Sequence, residues 1–222
     1  EDVPGWLDRV HAQAVTRGYH TRAKAYVIMN FFKAPLNTKK AVMANPVIRK
    51  QVLELKVGHK PHITVYSTDS RPETKDKYIA IFGQFKSRPF YIYGFGIEQE
   101  HGNCIFKKTS TEGFLGDLSS GSGVVATAGM SLLSESLYLK KRMFLMPLKG
   151  QFEQQVNAVY AQRLGIARCA EVLDPLDDVL VLVDRHHLHA AFIKLPGQLR
   201  AEDPQPDHHH ASFHANTLLT PP

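Results

Sequence analysis

Apolar positions in this chain come in short, unbroken runs separated by stretches with helical spacing. His62-Ile63-Thr64-Val65-Tyr66 reads as a strand, and a helix is expected over 73–85, behind a Pro72 suited to a first helical turn. Phe90-Tyr91-Ile92-Tyr93 predicts the next strand, stopped by Gly94 and Gly96, and Asn103 to Phe106 a short third one. A short helix near 113–118 leads to a strand at 123–127, then a helix over 131–140 with Leu132, Leu133, Ser136 and Leu139 near one face. Met143 to Met146 predicts a buried strand halted by Pro147. A long helix over 151–164 should end at Gly165, and a last strand is expected over 169–172.

Non-alternating apolar strands separated by helices imply a parallel sheet covered on both faces, an α/β doubly wound domain over 58–195. Such sheets bind ligands beyond the carboxyl ends of their strands. Four loops are therefore of interest: 67–70, 106–111, 127–131 and the one after Leu148. The ends differ. Residues 1–33 predict a helix over 6–17 and a strand over 25–29, a βα piece without partner strands of its own. Residues 34–57 resemble a linker with a helix over 47–55. A C-terminal helix is expected over 177–195, and the proline- and histidine-rich 196–222 is expected to be a loose tail. The chain opens on Glu1 rather than Met, which reads as an excised piece and leaves a removed leader open.

Composition narrows the class. Hydrophobic residues make up 43% and charged residues 22%, ordinary for a globular protein. No run approaches the length of a membrane helix. Cys104 and Cys169 stand far apart in apolar segments and read as two buried thiols in a reducing cytosol. The net charge of +6 is spread without a strong block, so nucleic acid is not expected as a partner. A mildly basic surface suits anionic phosphates or an anionic membrane face.

Two segments carry candidate chemistry. In Thr127-Ala128-Gly129-Met130-Ser131, a glycine at a strand-to-helix turn lets backbone N–H groups approach an anion. Glu135 lies one turn on, at the spacing that shares a face with Ser131, and its carboxylate could take two hydrogen bonds from a ribose diol. The same residues also fit an ordinary capped helix with a solvated glutamate. Pro147 to Asn157 packs carboxamides and a carboxylate into a helix start, groups suited to sugar hydroxyls, and equally fits a polar exposed first turn.

Together the segments resemble a family. Ala128-Gly129, Ser131 and Glu135, then a strand, then Pro147-Leu148, Gly150-Gln151-Phe152-Glu153-Gln154 and Asn157-Ala158 look like the donor-site signature of GT-B glycosyltransferases, which have two facing Rossmann-like domains. The chain is similar to the peptidoglycan N-acetylglucosaminyltransferase and to the UDP-glycosyltransferases of secondary metabolism and plants. It is more similar to a largely uncharacterised set of prokaryotic glycosyltransferases. That resemblance rests on Asn30-Phe31-Phe32 with Pro35-Leu36, on Asn45-Pro46-Val47-Ile48-Arg49-Lys50, and on Lys149 to Gln154. It covers residues 22–195.

The resemblance implies a C-terminal donor-binding domain at 58–195, a remnant of the N-terminal acceptor domain at 1–33 and an interdomain linker at 34–57. Gly129 and Ser131 would hold the diphosphate of a nucleotide sugar, by preference a UDP-sugar, and Glu135 its ribose. Glu153 and Gln154 would contact the transferred sugar, with Lys149 and Gln151 beside them. The loop from Phe106 and Lys107 would hold the base edge, mainly through main-chain groups. Ser67 and Thr68 match a phosphate loop that is glycine-rich in the peptidoglycan enzyme. The departing diphosphate would be stabilised by the helix at Ser131, aided by Lys149 or an arginine, without a metal or other cofactor. The catalytic base and the acceptor, a lipid or small molecule, would belong to the missing domain, so the isolated piece is expected to be inactive. The implied location is cytoplasmic, peripheral to the inner membrane face. The alternative is a non-catalytic donor-binding subunit that works with a partner chain.

Other signals weigh less. His186 and His189, near His187 and Asp184, share a helical spacing but lack a third ligand. His208-His209-His210 falls in the tail. Ser119 to Gly123 lacks the Lys-Ser/Thr ending of a P-loop and reads as a connection. Trp6 reads as a packing residue facing the missing domain, and Lys39-Lys40 as a solvated linker.

Overall fold

The computed structural model describes residues 6–170 apart from 21 and 37. The expected C-terminal helix at 177–195, its histidines, the tail and the end of the last predicted strand lie outside the described residues.

Seven strands form one sheet: β3 (Ile63–Tyr66), β4 (Phe90–Tyr93), β5 (Gln99–His101), β6 (Cys104–Phe106), β7 (Gly123–Ala126), β8 (Arg142–Leu145) and β9 (Ala167–Cys169). Their spatial order is β5-β6-β4-β3-β7-β8-β9, and every pair is parallel except β5 with β6. Helices α3 (Pro72–Phe82), α4 (Thr111–Ser120), α5 (Met130–Tyr138) and α6 (Phe152–Arg163) make the crossovers. Without the edge strand β5, the order is that of a dinucleotide-binding fold, counted outward in both directions from β3. The expected Rossmann-like, doubly wound sheet is therefore present.

The strands are buried on both faces, as their unbroken apolar runs require. Ile63, Val65, Ile92, Val125 and Phe144 pack with α3 in one core cluster, while Val124, Met143 and Leu145 belong to the other, with α4 to α6. Each such side chain contributes about 1.5–3 kcal/mol by leaving water.

Helix ends obey local chemistry. At the end of α6, Gly165 has φ +68, with Gly165 N–H bonded to the Gln162 carbonyl and Ile166 N–H to that of Ala161, the paired bonds of a Schellman stop. At the end of α5 the same two bonds run from Lys140 to Leu137 and from Lys141 to Ser136, so Lys140 adopts φ 53 without being glycine.

The amino-terminal segment departs from expectation. Helix α1 (Trp6–His20) precedes β1 (Tyr26–Met29), and β1 does have a partner: Ala41–Ala44 forms β2, parallel to it, with Tyr26 beside Ala41. The short Ala-Val-Met-Ala run lies among linker-like residues and gives little periodic signal. The helix expected over 47–55 shrinks to α2 (Lys50–Leu53), because the proline-containing stretch before it stays extended through Arg49. The Asn30-Phe31-Phe32 motif fastens this segment down. Asn30 accepts the Phe31 N–H on its side-chain oxygen, and the Phe32 ring stacks on Tyr160 of α6 at 3.7 Å between centroids. Trp6 is largely exposed.

Edge strand β5 escaped prediction. Its Gln-Glu-His sequence is polar and half-solvated, and it forms by folding back on β6 through Gly102 and Asn103.

Candidate functional site

The sheet's strand order reverses between β3 and β7, and the crevice of such folds opens there, beyond the carboxyl ends. The last residues of the central strands are in register: Tyr66 stands beside both Tyr93 and Ala126, and Ala126 beside Leu145. Three turns leave this row together: 67–71 after β3, 127–129 after β7, and 146–151 after β8.

The turn after β7 leads into α5, whose N-cap is Gly129. A Cβ built on Gly129 would meet nothing within 4 Å, so the backbone there is open to an approaching group. No side chain caps α5 and its first turn holds no acid, whereas α3, α4 and α6 carry Glu73, Glu112 and Glu153 in theirs. The positive end of α5 is thus left uncompensated, with its first N–H groups available to an anion. This corrects the ordinary capped-helix reading. Ser131 is exposed on the first turn.

Glu135 is 2% exposed, so it is not a solvated glutamate. Its two carboxylate oxygens accept from Nε and Nη2 of Arg49, at 2.5 and 2.7 Å. Arg49 comes from the Asn45–Lys50 motif, and its pKa is raised by that hydrogen-bonded pairing. The two residues stand 86 positions apart, which is why no local spacing points to the pair.

The turn after β8 is built by α6. Gln154 accepts the Leu148 N–H on Oε1 at 3.0 Å, so its carbonyl shapes the loop and its amide donors are what it can offer elsewhere. Asn157 donates to the Ala128 carbonyl at 3.0 Å, joining this helix to the Gly129 turn. Lys149, Gln151 and Glu153 are exposed around the start of α6, with Gly150 at φ +80 among them.

Elsewhere the expected contacts change. Ser67 is buried, and its hydroxyl donates to the Asp69 carbonyl at 2.7 Å while accepting the Asp69 N–H, so its side chain builds the turn. Gly94, at φ +104, lies so close that a Cβ would fall 1.9 Å from the Ser67 carbonyl oxygen. Thr68 is exposed. Arg71 forks onto Asp69, which also accepts from Thr74, and these bonds hold the Asp69 carboxyl well below the usual range. Phe106 is 2% exposed and packs edge-on against Phe95, so its ring is core. The Lys107 N–H donates to the Ile92 carbonyl, and its ammonium sits 2.6 Å from Asp117 and over the Tyr91 ring. The Phe106 ring and the Lys107 ammonium are thus engaged within the domain, and a base-edge contact from this loop would fall to its other main-chain groups. Tyr93 donates to the same Asp117 oxygen, and burial first, then this bond, pushes its phenol pKa well up.

The open start of α5, the buried carboxylate one turn on and the polar turn of α6 all follow the carboxyl ends of β7 and β8, next to the switch point. The model of the glycosyl transferase family 1 matches residues 6–185, and the chain belongs to that family. A search of curated proteins gave no match. Among solved structures, the chain is similar to the glycosyltransferase of kitacinnamycin, with a TM-score of 0.60 at 13% identity, over 85% of this chain and 57% of that one. It is also similar to the spinosyn forosaminyltransferase SpnP, with a TM-score of 0.54 at 13% identity, over 77% of this chain and 49% of that one. At such identities the likeness is one of fold, and the chain spans about half the length of these structures. No helix among the described residues is long and apolar enough to cross a membrane.

Proposed function

We propose that this chain is the donor half of a sugar-transferring enzyme and binds a nucleotide-diphosphate sugar at the β3/β7 switch point. The observation that supports this reading is the start of α5, at Gly129 and Ser131, which alone among α3 to α6 has no first-turn acid. The diphosphate lies against those N–H groups, and Glu135, one turn deeper, is the group for the ribose hydroxyls. Exposed Glu153, Gln151 and Lys149 and the amide of Gln154 face the transferred sugar. Uridine nucleotides are the first to test, given the sequence resemblance. In transfer, the α5 start stabilises the negative charge that grows on the departing diphosphate, and the base that deprotonates the acceptor hydroxyl comes from another domain. The domain division is 1–33, 34–57, 58–195 and 196–222. Trp6, Leu7, Tyr19, Val27, Met29 and Val42 are exposed apolar side chains on the amino-terminal segment, a surface that another domain or a partner chain would cover.

Calorimetric titration with uridine, guanosine and thymidine diphosphates and their sugars tests this. Saturable binding of one nucleotide family, weakened by Glu135→Ala, is expected. A folded chain that binds none of them defeats the proposal.

A further inference from the structure

Resting on the donor-site reading, we propose that Arg49 and the donor's ribose diol exchange places on Glu135, so that filling the nucleoside position releases the linker. A carboxylate offers one edge on which two parallel donors can bind side by side. In this structure that edge is taken, with Nε of Arg49 on one oxygen at 2.5 Å and Nη2 on the other at 2.7 Å. A vicinal diol presents two O–H donors that call for the same edge. Guanidinium and diol therefore cannot both be bidentate on Glu135.

Burial points the same way. The Glu135 side chain is 3% exposed and that of Arg49 47% exposed, so the carboxylate is covered while its partner faces the solvent. A departing Arg49 stays hydrated, whereas a carboxylate left without donors would be costly. Exchange for a diol avoids that cost, because the incoming hydroxyls replace the departing N–H groups.

The movement has a place to go. Arg49 precedes α2 on the segment that joins β2 to the sheet domain, and its carbonyl accepts the N–H groups of Val52, at 2.9 Å, and Leu53, at 3.3 Å. Releasing its side chain frees the segment at this point, while Val52 stays anchored in the core at 0% exposure. Donor occupancy is thereby coupled to the piece of chain that sets how β1 and β2 sit on the domain. The latch occupies the Glu135 edge in the empty protein and yields it to the diol when the donor binds.

The test uses UDP, GDP and their 2′,3′-dideoxy analogues on the full chain and on Arg49→Lys. Lysine keeps a counter-charge for the buried carboxylate but cannot fork onto it. Arg49→Lys should bind the diol-bearing nucleotide at least fivefold more tightly than the parent chain, with no gain for the dideoxy analogue. Hydrogen exchange on the unaltered chain supplies a readout that needs no variant: adding the nucleotide should speed exchange at the Val52 and Leu53 amides. Nucleotide binding with no gain in Arg49→Lys, an equal gain for the dideoxy analogue, or unchanged or slower exchange at Val52 and Leu53 overturns the latch and leaves the donor site standing. No nucleotide binding to either folded protein overturns both.

Discussion

Asn157, in the second turn of α6, reaches back to the Ala128 carbonyl at 3.0 Å, so the helix after β8 holds the turn that opens α5. Asn157 is 2% exposed, and Ala128 is fully buried beside Gly129. Replacing Asn157 with Ala strands a buried carbonyl and should lower unfolding free energy by about 1–3 kcal/mol in urea titration. Because the Gly129 turn loosens as well, nucleotide-diphosphate affinity should fall with it. A variant that loses stability but keeps full affinity would show that the turn needs no support from α6.

Glu135→Ala separates binding from folding. Arg49 is half-exposed and can turn to water, so the stability loss should stay at or below about 1 kcal/mol despite the ion pair. Affinity for a ribonucleotide sugar should weaken by about 1–3 kcal/mol, the range for ligand hydroxyls left unpaired. A dideoxy analogue should lose nothing. Equal losses for both ligands would remove Glu135 from the ribose.

Lys140 holds φ 53 at the position where Gly165 holds φ +68 in the matching stop of α6. A side chain in that conformation costs about 1 kcal/mol relative to glycine. Lys140→Gly should therefore raise the melting temperature by a few degrees. A lower melting temperature would mean that the lysine side chain contributes more than its backbone strain costs.

Cys104 and Cys169 test the expected buried thiols. Burial pushes their pKa values up to about 11 and about 12, and the Cys169 thiol also donates to the Ala158 carbonyl at 3.1 Å. At pH 8 roughly one thiolate in a thousand or fewer exists at each. Neither should react with iodoacetamide in the native chain over the time in which both react in urea. Rapid native alkylation of either would show that its segment opens.

Much of the fold was legible because the central strands are short apolar runs, β4 stopped by Gly94 and β8 by Pro147, set apart by longer stretches that suit helices. Strand β5 was not, since a polar edge strand is specified by the partner it pairs with and not by its own residues. Strand β2 was hidden for another reason: its four-residue Ala-Val-Met-Ala run is too short to give a period and lies among linker-like residues, and its pairing with β1 is not readable from spacing. At the candidate site, the glycine-to-helix turn at Gly129 was legible as local structure, because helix-start chemistry is local. The partner of Glu135 was not legible, although Arg49 lies in a motif that drew notice. The partners of Ser67 and Lys107 were not legible either, because sequence position shows which loop a residue occupies and not which neighbours its donors meet.

Lys141 gives the firmest stability prediction. Its side chain is 1% exposed, and its ammonium donates to three carbonyls, those of Gly58 at 2.7 Å, Ser119 at 2.6 Å and Gly121 at 2.7 Å. Ser119 and Gly121 close α4, while Gly58 lies on the segment entering β3, so one cation ties three pieces together at the end of the sheet away from the site. Burial draws its pKa down to about 8, and at neutral pH the ammonium stays charged and keeps all three bonds. Lys141→Met keeps most of the length of the side chain and removes the ammonium from all three carbonyls, of which that of Ser119 still accepts the Gly58 N–H at 2.8 Å. The expected loss is about 2–5 kcal/mol, from buried carbonyls that lose a charged donor at about 1–3 kcal/mol each. Urea denaturation measures it, and nucleotide affinity of the folded fraction should be unchanged because the site lies at the opposite strand ends. A loss below about 1 kcal/mol would show that water replaces the ammonium at these carbonyls and that the cage contributes little to holding the domain together.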